Sequence, residues 1–237
     1  MKKISFILLA FATSQALFAQ STNYEKSTPM TVTTRFGVKA GVNMSEFRID
    51  NSDNSSVAAP STQMRTSFNA GVFANIPIGG MFRFQPEVNY SGQGSKETAS
   101  YSYTVGTNTT TGTMNFTQKM GYINVPLLIQ LQTTSGFYVE VGPQAGYLIS
   151  AKQDMTGNTG GTANTGETDN KSYFRKLDWD AVGGIGYLSR IGLGVDARYN
   201  WGLRNIYDKE NSANANQPSL KNSSFQFGLF WQFGEGK

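Results

Sequence analysis

The chain has 237 residues, of which 38% are apolar and only 15% are charged, and its formal net charge is +4. Soluble domains of this size carry about 25% charged and roughly 45–50% apolar residues, so the composition argues against a coiled coil, a helical bundle and a helical membrane protein. No run of lysine and arginine is present to follow a phosphate backbone, so we expect no nucleic-acid partner. The chain has neither cysteine nor histidine, which removes disulfides, zinc sites of the Cys/His kind and histidine-based catalytic triads.

The N-terminus has the order of a secretory signal peptide. Met1, Lys2 and Lys3 form a short basic start, residues 4–11 are apolar, and Ala19 offers a small residue at the cleavage point. The apolar run is shorter than the roughly 20 residues that a membrane helix needs. We therefore predict a signal peptide over residues 1–19, a flexible periplasmic leader over residues 20–33 and one folded domain over residues 34–237.

The rest of the chain predicts strands. Apolar residues fall on alternate positions in eight runs, which is the period of a strand whose two faces meet different surroundings. These runs cover, in chain order, residues 36–44, 68–78, 82–90, 123–131, 137–149, 177–187, 191–203 and 225–233. No helix is predicted.

The connections between these runs alternate in length. Short turns are predicted at residues 79–80, 133–136 and 189–190, and long connections at residues 48–64, 95–116, 152–175 and 205–221. In an antiparallel series this alternation places every long connection at one end and both termini at the other. That is the layout of a bacterial outer-membrane barrel, which has short periplasmic turns and longer external loops.

Three features indicate that the apolar face points outward. The alternate face is rich in glycine and uncharged amides, the apolar face carries no charge, and each apolar run gives a band about 25 Å tall. Aromatic residues also gather towards both ends of the runs, as amphipathic rings do at two lipid–water boundaries. We therefore predict an all-β fold, an eight-stranded antiparallel up-and-down transmembrane β-barrel, and not a soluble barrel whose apolar face lines the inside.

Three prolines lie inside these runs. Pro86 and Pro143 have the parity of the lipid face, and Pro126 has the parity of the lumen. Because proline removes a ladder donor and usually lies at edges or bulges, we expect a local bulge at each of them.

Six segments resemble a known family. They are FGVKAGVNMSEF at 36–47, FQPEVNYSGQG at 84–94, YINVPLLIQL at 122–131, FYVEVGPQAGYLISAK at 137–152, DWDAVGGIGYL at 178–188 and GLGVDARYNWGLRNI at 192–206. Together they resemble the PorT-type outer-membrane β-barrel proteins of Bacteroidetes. The resemblance implies an eight-stranded outer-membrane barrel, in a family named after a secretion-related member. It implies little about activity, since a fold does not supply a function.

The charges of the strand runs fall almost entirely on the predicted lumen face. They are Lys39, Arg83, Glu87, Glu140, Asp178, Asp180, Asp196, Arg198 and Arg204. We interpret them as ion pairs that neutralise one another inside a narrow barrel. No catalytic residue, cofactor site or metal site is predicted, and we expect no enzyme activity. The acidic residues at 50–54 lack the spacing of a calcium loop, and the glycines of 156–168 lack the lysine of a phosphate loop.

Two classes of function stay open. The first is a structural or interaction scaffold that presents external loops, either alone or within an outer-membrane machine such as a secretion apparatus. The second is a narrow, porin-like channel for small solutes; eight strands leave a lumen that side chains just fill, which favours the scaffold. We expect an integral outer-membrane protein with periplasmic termini, whose partners are outer-membrane lipid and a protein bound through the external loops. Basic residues near the external rim could contact the phosphates of lipopolysaccharide: Lys152, Lys171, Arg175, Lys176, Lys209 and Lys221.

Overall fold

The computed structural model describes residues 33–50, 62–105, 107–159, 162–208 and 219–234. The predicted signal peptide and nearly all of the predicted leader lie outside the described residues. Within the described ranges, no helix is long and apolar enough to cross a membrane.

The described part of the chain is built from nine strands and one turn of 3-10 helix. The strands are β1 (Arg35–Asp50), β2 (Thr62–Gly79), β3 (Phe82–Val105), β4 (Asn108–Gln132), β5 (Phe137–Thr159), β6 (Thr162–Asp169), β7 (Leu177–Leu188), β8 (Leu193–Gly202) and β9 (Ser219–Gln232). The helical turn, Lys171–Tyr173, lies between β6 and β7.

Eight of these strands close into a ring. Neighbours pair antiparallel in the order β1, β2, β3, β4, β5, β7, β8 and β9, and β9 pairs again with β1. The ninth strand, β6, lies outside the ring and pairs with the distal part of β5, from Lys152↔Asp169 to Thr159↔Thr162. The predicted eight-stranded antiparallel barrel is therefore confirmed.

The three short turns lie where the alternation predicted them, but two of the long connections were predicted wrongly. Residues 95–116 form a β3–β4 hairpin whose pairing runs from Ser95↔Gln118 to Val105↔Asn108, and residues 152–169 form the β5–β6 hairpin. These hairpins are rich in Ser, Thr, Asn and Gly, which is typical of loops, and their longest alternation between apolar and polar residues covers only residues 99–105. Residues 51–61 and 209–218 of the other two long connections lie outside the described residues.

Burial follows the predicted inside-out pattern. Val72 and Ile185 on the outer face are 55% and 62% exposed, whereas Asn43 and Glu87 on the inner face are 0% and 2% exposed. The outer surface of the ring is thus an apolar band, and the polar residues of the same strands are enclosed.

Aromatic rings contact one another near both ends of the apolar band. Near the hairpin end, Tyr199 packs against Phe225 with ring centroids 4.7 Å apart and against Trp201 at 6.4 Å. Near the short-turn end, the centroids of Phe137 and Tyr187 are 4.9 Å apart. Two separate aromatic groups on the outer surface match the two predicted belts.

The prediction of bulges at the prolines was wrong. The β3–β4 register is the same before and after Pro86, with Pro86↔Leu127 followed by Asn89↔Asn124, and the pairing across Pro126 and Pro143 is also continuous. The register shifts elsewhere, between Met64 and Asn69, between Pro77 and Gly79, and between Gly121 and Tyr122. In an antiparallel ladder each residue donates to one neighbour only, so a proline removes one bond without forcing an extra residue into the strand.

Lumen glycines make room for aromatic rings. A Cβ atom would lie about 2 Å from a ring atom of the facing side chain at three of them: 2.2 Å from Phe73 at Gly37, 2.3 Å from Tyr138 at Gly186 and 2.1 Å from Phe230 at Gly194. These glycines are therefore required by the close approach of the rings, which accounts for the glycine-rich inner face.

Gly186 tests this packing against Gly183 on the same strand. At Gly186 a Cβ would meet both the Tyr138 ring and the Val195 carbonyl oxygen, whereas at Gly183 on the outer face nothing lies within 4 Å. We expect Gly186→Ala to lower the free energy of unfolding by about 1–3 kcal/mol, as overpacking does, and Gly183→Ala to leave it nearly unchanged. Urea titration of the protein folded into lipid vesicles, followed by tryptophan fluorescence, measures both. Equal losses for the two variants would contradict the assigned faces.

Candidate functional site

The structure places the nine predicted lumen charges in three groups. Seven are buried inside the barrel: Lys39, Glu87, Glu140, Asp178, Asp180, Asp196 and Arg198. Arg83 is half-buried near the short-turn end. Arg204 follows the end of β8 at Gly202 and donates a long, exposed hydrogen bond of 3.4 Å to the Leu177 carbonyl. Its assignment to the lumen stays a prediction, because the alternation that directs the other charges ends with the strand.

Five of the buried charges form one network in the middle of the lumen. Both terminal nitrogens of Arg198 donate to the Glu87 carboxylate at 2.8 Å, and its Nε lies 2.5 Å from Glu140 Oε1. Lys39 Nζ donates to Asp196 Oδ2 at 2.8 Å and lies 3.6 Å from Glu87. Strands that are far apart in the ring, β1, β3, β5 and β8, are thus joined across the lumen.

Amide side chains add hydrogen bonds to the two glutamates. Gln85 and Asn89 each donate to Glu87 at 2.7 Å, and Gln130 donates to Glu140 at 2.8 Å. Hydrogen bonds to both oxygens of a carboxylate stabilise its charge in a site that water does not reach. The arrangement suits a structural role, since the ion pairs and amide bonds engage both carboxylates and hold them in place.

Arg83 is linked to this network indirectly, through the side chain of Asn75. Its terminal nitrogen donates to Asn75 Oδ1 at 3.2 Å, and Asn75 donates to Gln85 at 2.9 Å and to Gln130 at 2.8 Å. The amide chain therefore links the arginine near the short turns to the glutamates at the centre.

Asp178 and Asp180 depart from the predicted ion pairing. Asn222 donates to Asp178 at 2.8 Å and Gln144 donates to Asp180 at 2.6 Å, and no lysine or arginine nitrogen of the described residues lies within 4 Å of either carboxylate. These two carboxylates are held by amides. Alternation places a charge in the lumen but does not say which partner faces it across the barrel.

Two apolar layers enclose the polar middle of the lumen. At the short-turn end, Phe73, Tyr138, Leu188 and Phe230 pack together. At the hairpin end, a larger cluster contains Phe47, Met120, Tyr122, Leu148, Ala151, Phe174, Ile206 and Leu220. Buried side chains thus occupy the described lumen at three levels: the two apolar layers and the charged network between them.

Residues 173–175 and 206–208 form a cap over the hairpin end. The sequence did not predict it. Arg175 donates its backbone N–H to the Ile206 carbonyl at 2.8 Å, and Asp208 donates to the Tyr173 carbonyl at 2.9 Å. The rings of Phe174 and Tyr207 stack with centroids 5.4 Å apart and planes at 13°. The sequence signal for the cap was the presence of Phe174, Ile206 and Tyr207 in otherwise polar connections. A search for periodic runs does not detect such isolated residues.

A cavity of about 180 Å³ lies between this cap and the barrel mouth. Its apolar lining comes from the upper cluster and its neighbours, and its polar lining includes Ser95, Glu97, Gln118 and Gln153. None of these four was singled out by the sequence, because Ser95, Glu97 and Gln153 lie in segments predicted to be loops and Gln118 lies between a predicted loop and the next apolar run. Of the residues described, no three acidic side chains come close enough together to hold a metal ion.

A closed ring with an apolar exterior and a filled, charged interior defines a membrane β-barrel. A family model for the outer membrane protein beta-barrel domain matches residues 18–208, and the chain belongs to that family. It is an integral outer-membrane protein and contacts membrane lipid through its apolar band.

Solved structures of small outer-membrane proteins are similar to it at low sequence identity. The attachment invasion locus protein Ail of Yersinia pestis is 9% identical, with a TM-score of 0.39 over 84% of this chain and 98% of that one. Neisserial surface protein A is 13% identical, with a TM-score of 0.41 over 84% and 97%. Outer membrane protein W of E. coli is 15% identical, with a TM-score of 0.35 over 86% and 100%. No curated protein matches the sequence.

The central network makes a stability prediction. Removing one partner of a buried ion pair leaves an uncompensated charge and costs about 3–5 kcal/mol, so we expect Arg198→Met to reduce the free energy of unfolding by that amount. Lys119→Met is the matched control, because Lys119 is 43% exposed in its ion pair with Asp154 and such pairs contribute roughly 0–1 kcal/mol. Urea unfolding in lipid vesicles measures both variants. A loss at Arg198 no larger than the loss at Lys119 would show that the network does not stabilise the barrel.

Proposed function

We propose that this protein is a closed outer-membrane scaffold that presents a projecting β-sheet to a partner protein, and that it is not a solute channel. One observation carries the proposal: the network of five buried charges, with an apolar layer on either side of it, occupies the lumen. A continuous water path through eight strands needs room that these side chains occupy.

Within the described residues, the distal parts of β3, β4 and β5 together with β6 form a sheet that continues beyond the apolar band, here called the projecting sheet. β3 continues from Tyr90 in the aromatic belt to Val105, which is roughly 50 Å of strand at 3.3 Å per residue. β4, β5 and β6 extend beside it, in the order β3, β4, β5, β6. Hairpins of this length hold a binding surface in a defined position more firmly than irregular loops would.

Both edges of this sheet are suited to strand addition. Within the described residues, β6 pairs only with β5, and β3 pairs only with β4 beyond Glu97. An edge strand exposes a row of backbone donors and acceptors, and partner strands bind such edges through main-chain hydrogen bonds. This favours a protein partner that contributes an extended segment.

The orientation and processing follow from the same proposal. The long hairpins face the outside of the cell, and both termini lie at the short-turn end in the periplasm, as in barrels of this kind. Residues 1–19 act as the signal peptide and residues 20–33 as a periplasmic leader. The resemblance to the PorT-type proteins supports a place in an outer-membrane machine such as a secretion apparatus.

Lipopolysaccharide is proposed as a second partner at the rim. Lys171 and Lys176 follow β6 in the chain, and the Lys171 ammonium donates a hydrogen bond of 2.8 Å to the carbonyl of Ile149 at the end of the apolar run on β5. Ammonium groups at this height can reach the phosphates of the outer leaflet. Lys152 is engaged differently, because its hydrogen bond to Glu167 raises the pKa of its ammonium group.

The filled lumen predicts that the protein does not conduct. We expect planar bilayers containing the purified, heat-modifiable protein to show the same baseline current as bilayers with detergent alone. Single-channel recording over a range of voltages checks this. Steady and reproducible conductance steps at low protein concentration would favour the channel and overturn the closed scaffold.

The projecting edge predicts a site-specific contact in intact cells. A photo-crosslinking amino acid at the exposed Thr168 of β6 should give a discrete protein adduct, because a bound strand would lie beside this edge. The matched position is Leu229, which is 60% exposed in the apolar band and faces lipid. Immunoblotting after irradiation compares the two. No adduct at Thr168, or the same adduct at Leu229, would argue against a partner on the sheet edge.

A further inference from the structure

The cavity at the barrel mouth has the walls of a small binding site. Six apolar side chains from several elements surround its roughly 180 Å³: Phe47, Ile49, Phe116, Phe174, Tyr207 and Leu220. An apolar cavity of about 150 Å³ is large enough for a single benzene ring. The space therefore fits one six-membered ring with a short substituent.

Two polar groups in the lining lack the partners expected of them. Ser95 is 1% exposed, and its hydroxyl has no hydrogen-bond partner among the described residues. Glu97 is half-buried, and within the described chain no lysine or arginine nitrogen lies within 4 Å of its carboxylate. Burial raises the pKa of the Glu97 carboxyl. Buried hydroxyls and carboxylates normally have partners, so these two groups are available to a ligand.

The walls are fixed before any ligand binds. Gln118 and Asn170 exchange two amide hydrogen bonds of 2.7 and 3.0 Å on one side of the cavity. On another side, Phe174 stacks on Tyr207, and backbone hydrogen bonds join the two segments of the cap, residues 173–175 and 206–208. A preformed site loses little conformational entropy on binding.

We propose that this cavity binds a small primary or secondary amine with one apolar ring, of the size of phenethylamine. The ring occupies the aromatic space, the ammonium group pairs with Glu97, and the Ser95 hydroxyl accepts a hydrogen bond from one of its protons. An anion is disfavoured by Glu97, and a neutral ring leaves both polar groups unpaired. This site is independent of the proposed scaffold role, since neither the lumen network nor the sheet edge takes part in it.

The test uses the full-length barrel in lipid nanodiscs and isothermal titration calorimetry. The probes are phenethylamine, the neutral 2-phenylethanol and the anionic phenylacetate, which have similar sizes. We expect saturable binding of the amine, at least tenfold weaker binding of the alcohol and no binding of the acid. Equal affinity for all three probes, or no saturable binding of the amine, would overturn the proposal.

Three variants separate the cavity from partition into lipid. Glu97→Gln should weaken the amine at least tenfold and leave the alcohol unchanged, whereas Glu46→Gln, which removes the same charge outside the cavity lining, should change neither. Ile49→Trp should fill the cavity and remove binding of both ligands. Heat-modifiability on gels confirms that each variant is folded. Amine binding that survives both Glu97→Gln and Ile49→Trp in folded protein would show that it lies elsewhere.

Discussion

The rest of this structure depends on one constraint: lipid cannot solvate a charge, so every charged side chain of the wall must find its partners inside the barrel. Arg198 meets that requirement by joining Glu87 and Glu140, and Lys39 does so by joining Asp196. Because these residues come from four separate strands, the ion pairs act across the lumen. Two cations and three carboxylates lie in one network, and amide donors add hydrogen bonds to both oxygens of Glu87 and to one oxygen of Glu140.

The same constraint explains why the network lies between two apolar layers. Charges gain most from one another where water is excluded, and the Phe73 layer on one side and the Tyr122 layer on the other exclude it. Those rings in turn need space inside a narrow barrel, which glycines such as Gly186 provide. Charge, ring and glycine therefore depend on one another, so a change in one inner-face residue acts on the others.

The sequence predicted the parts of the fold in which the two faces of a strand meet different surroundings. Where one face meets lipid and the other meets the lumen, alternation revealed the strand, its inner face and its place in the ring. It did not reveal β6 or the distal half of β3, because these hairpins are rich in the Ser, Thr, Asn and Gly that are typical of loops. Nor did it pair Asp178 with Asn222, because partners across a lumen depend on the stagger of eight strands, which no local pattern contains. Ser95 and Glu97 were not predicted as site residues because they lie in one of these hairpins.

At the mouth of the barrel, the membrane-spanning wall continues into the hairpins outside the membrane. Ser95 and Glu97 lie on β3, and Phe116 lies on β4, beyond the polar middle of the lumen but still opposite the cap. The register Ser95↔Gln118 and Glu97↔Phe116 continues without a shift into the wall below, so the barrel sets the positions of the cavity residues. A few residues further along, the same two strands leave the cap and become the projecting sheet. Continuous strands thus connect the ion pairs inside the membrane to the surfaces outside it, where we propose that a ligand and a partner bind.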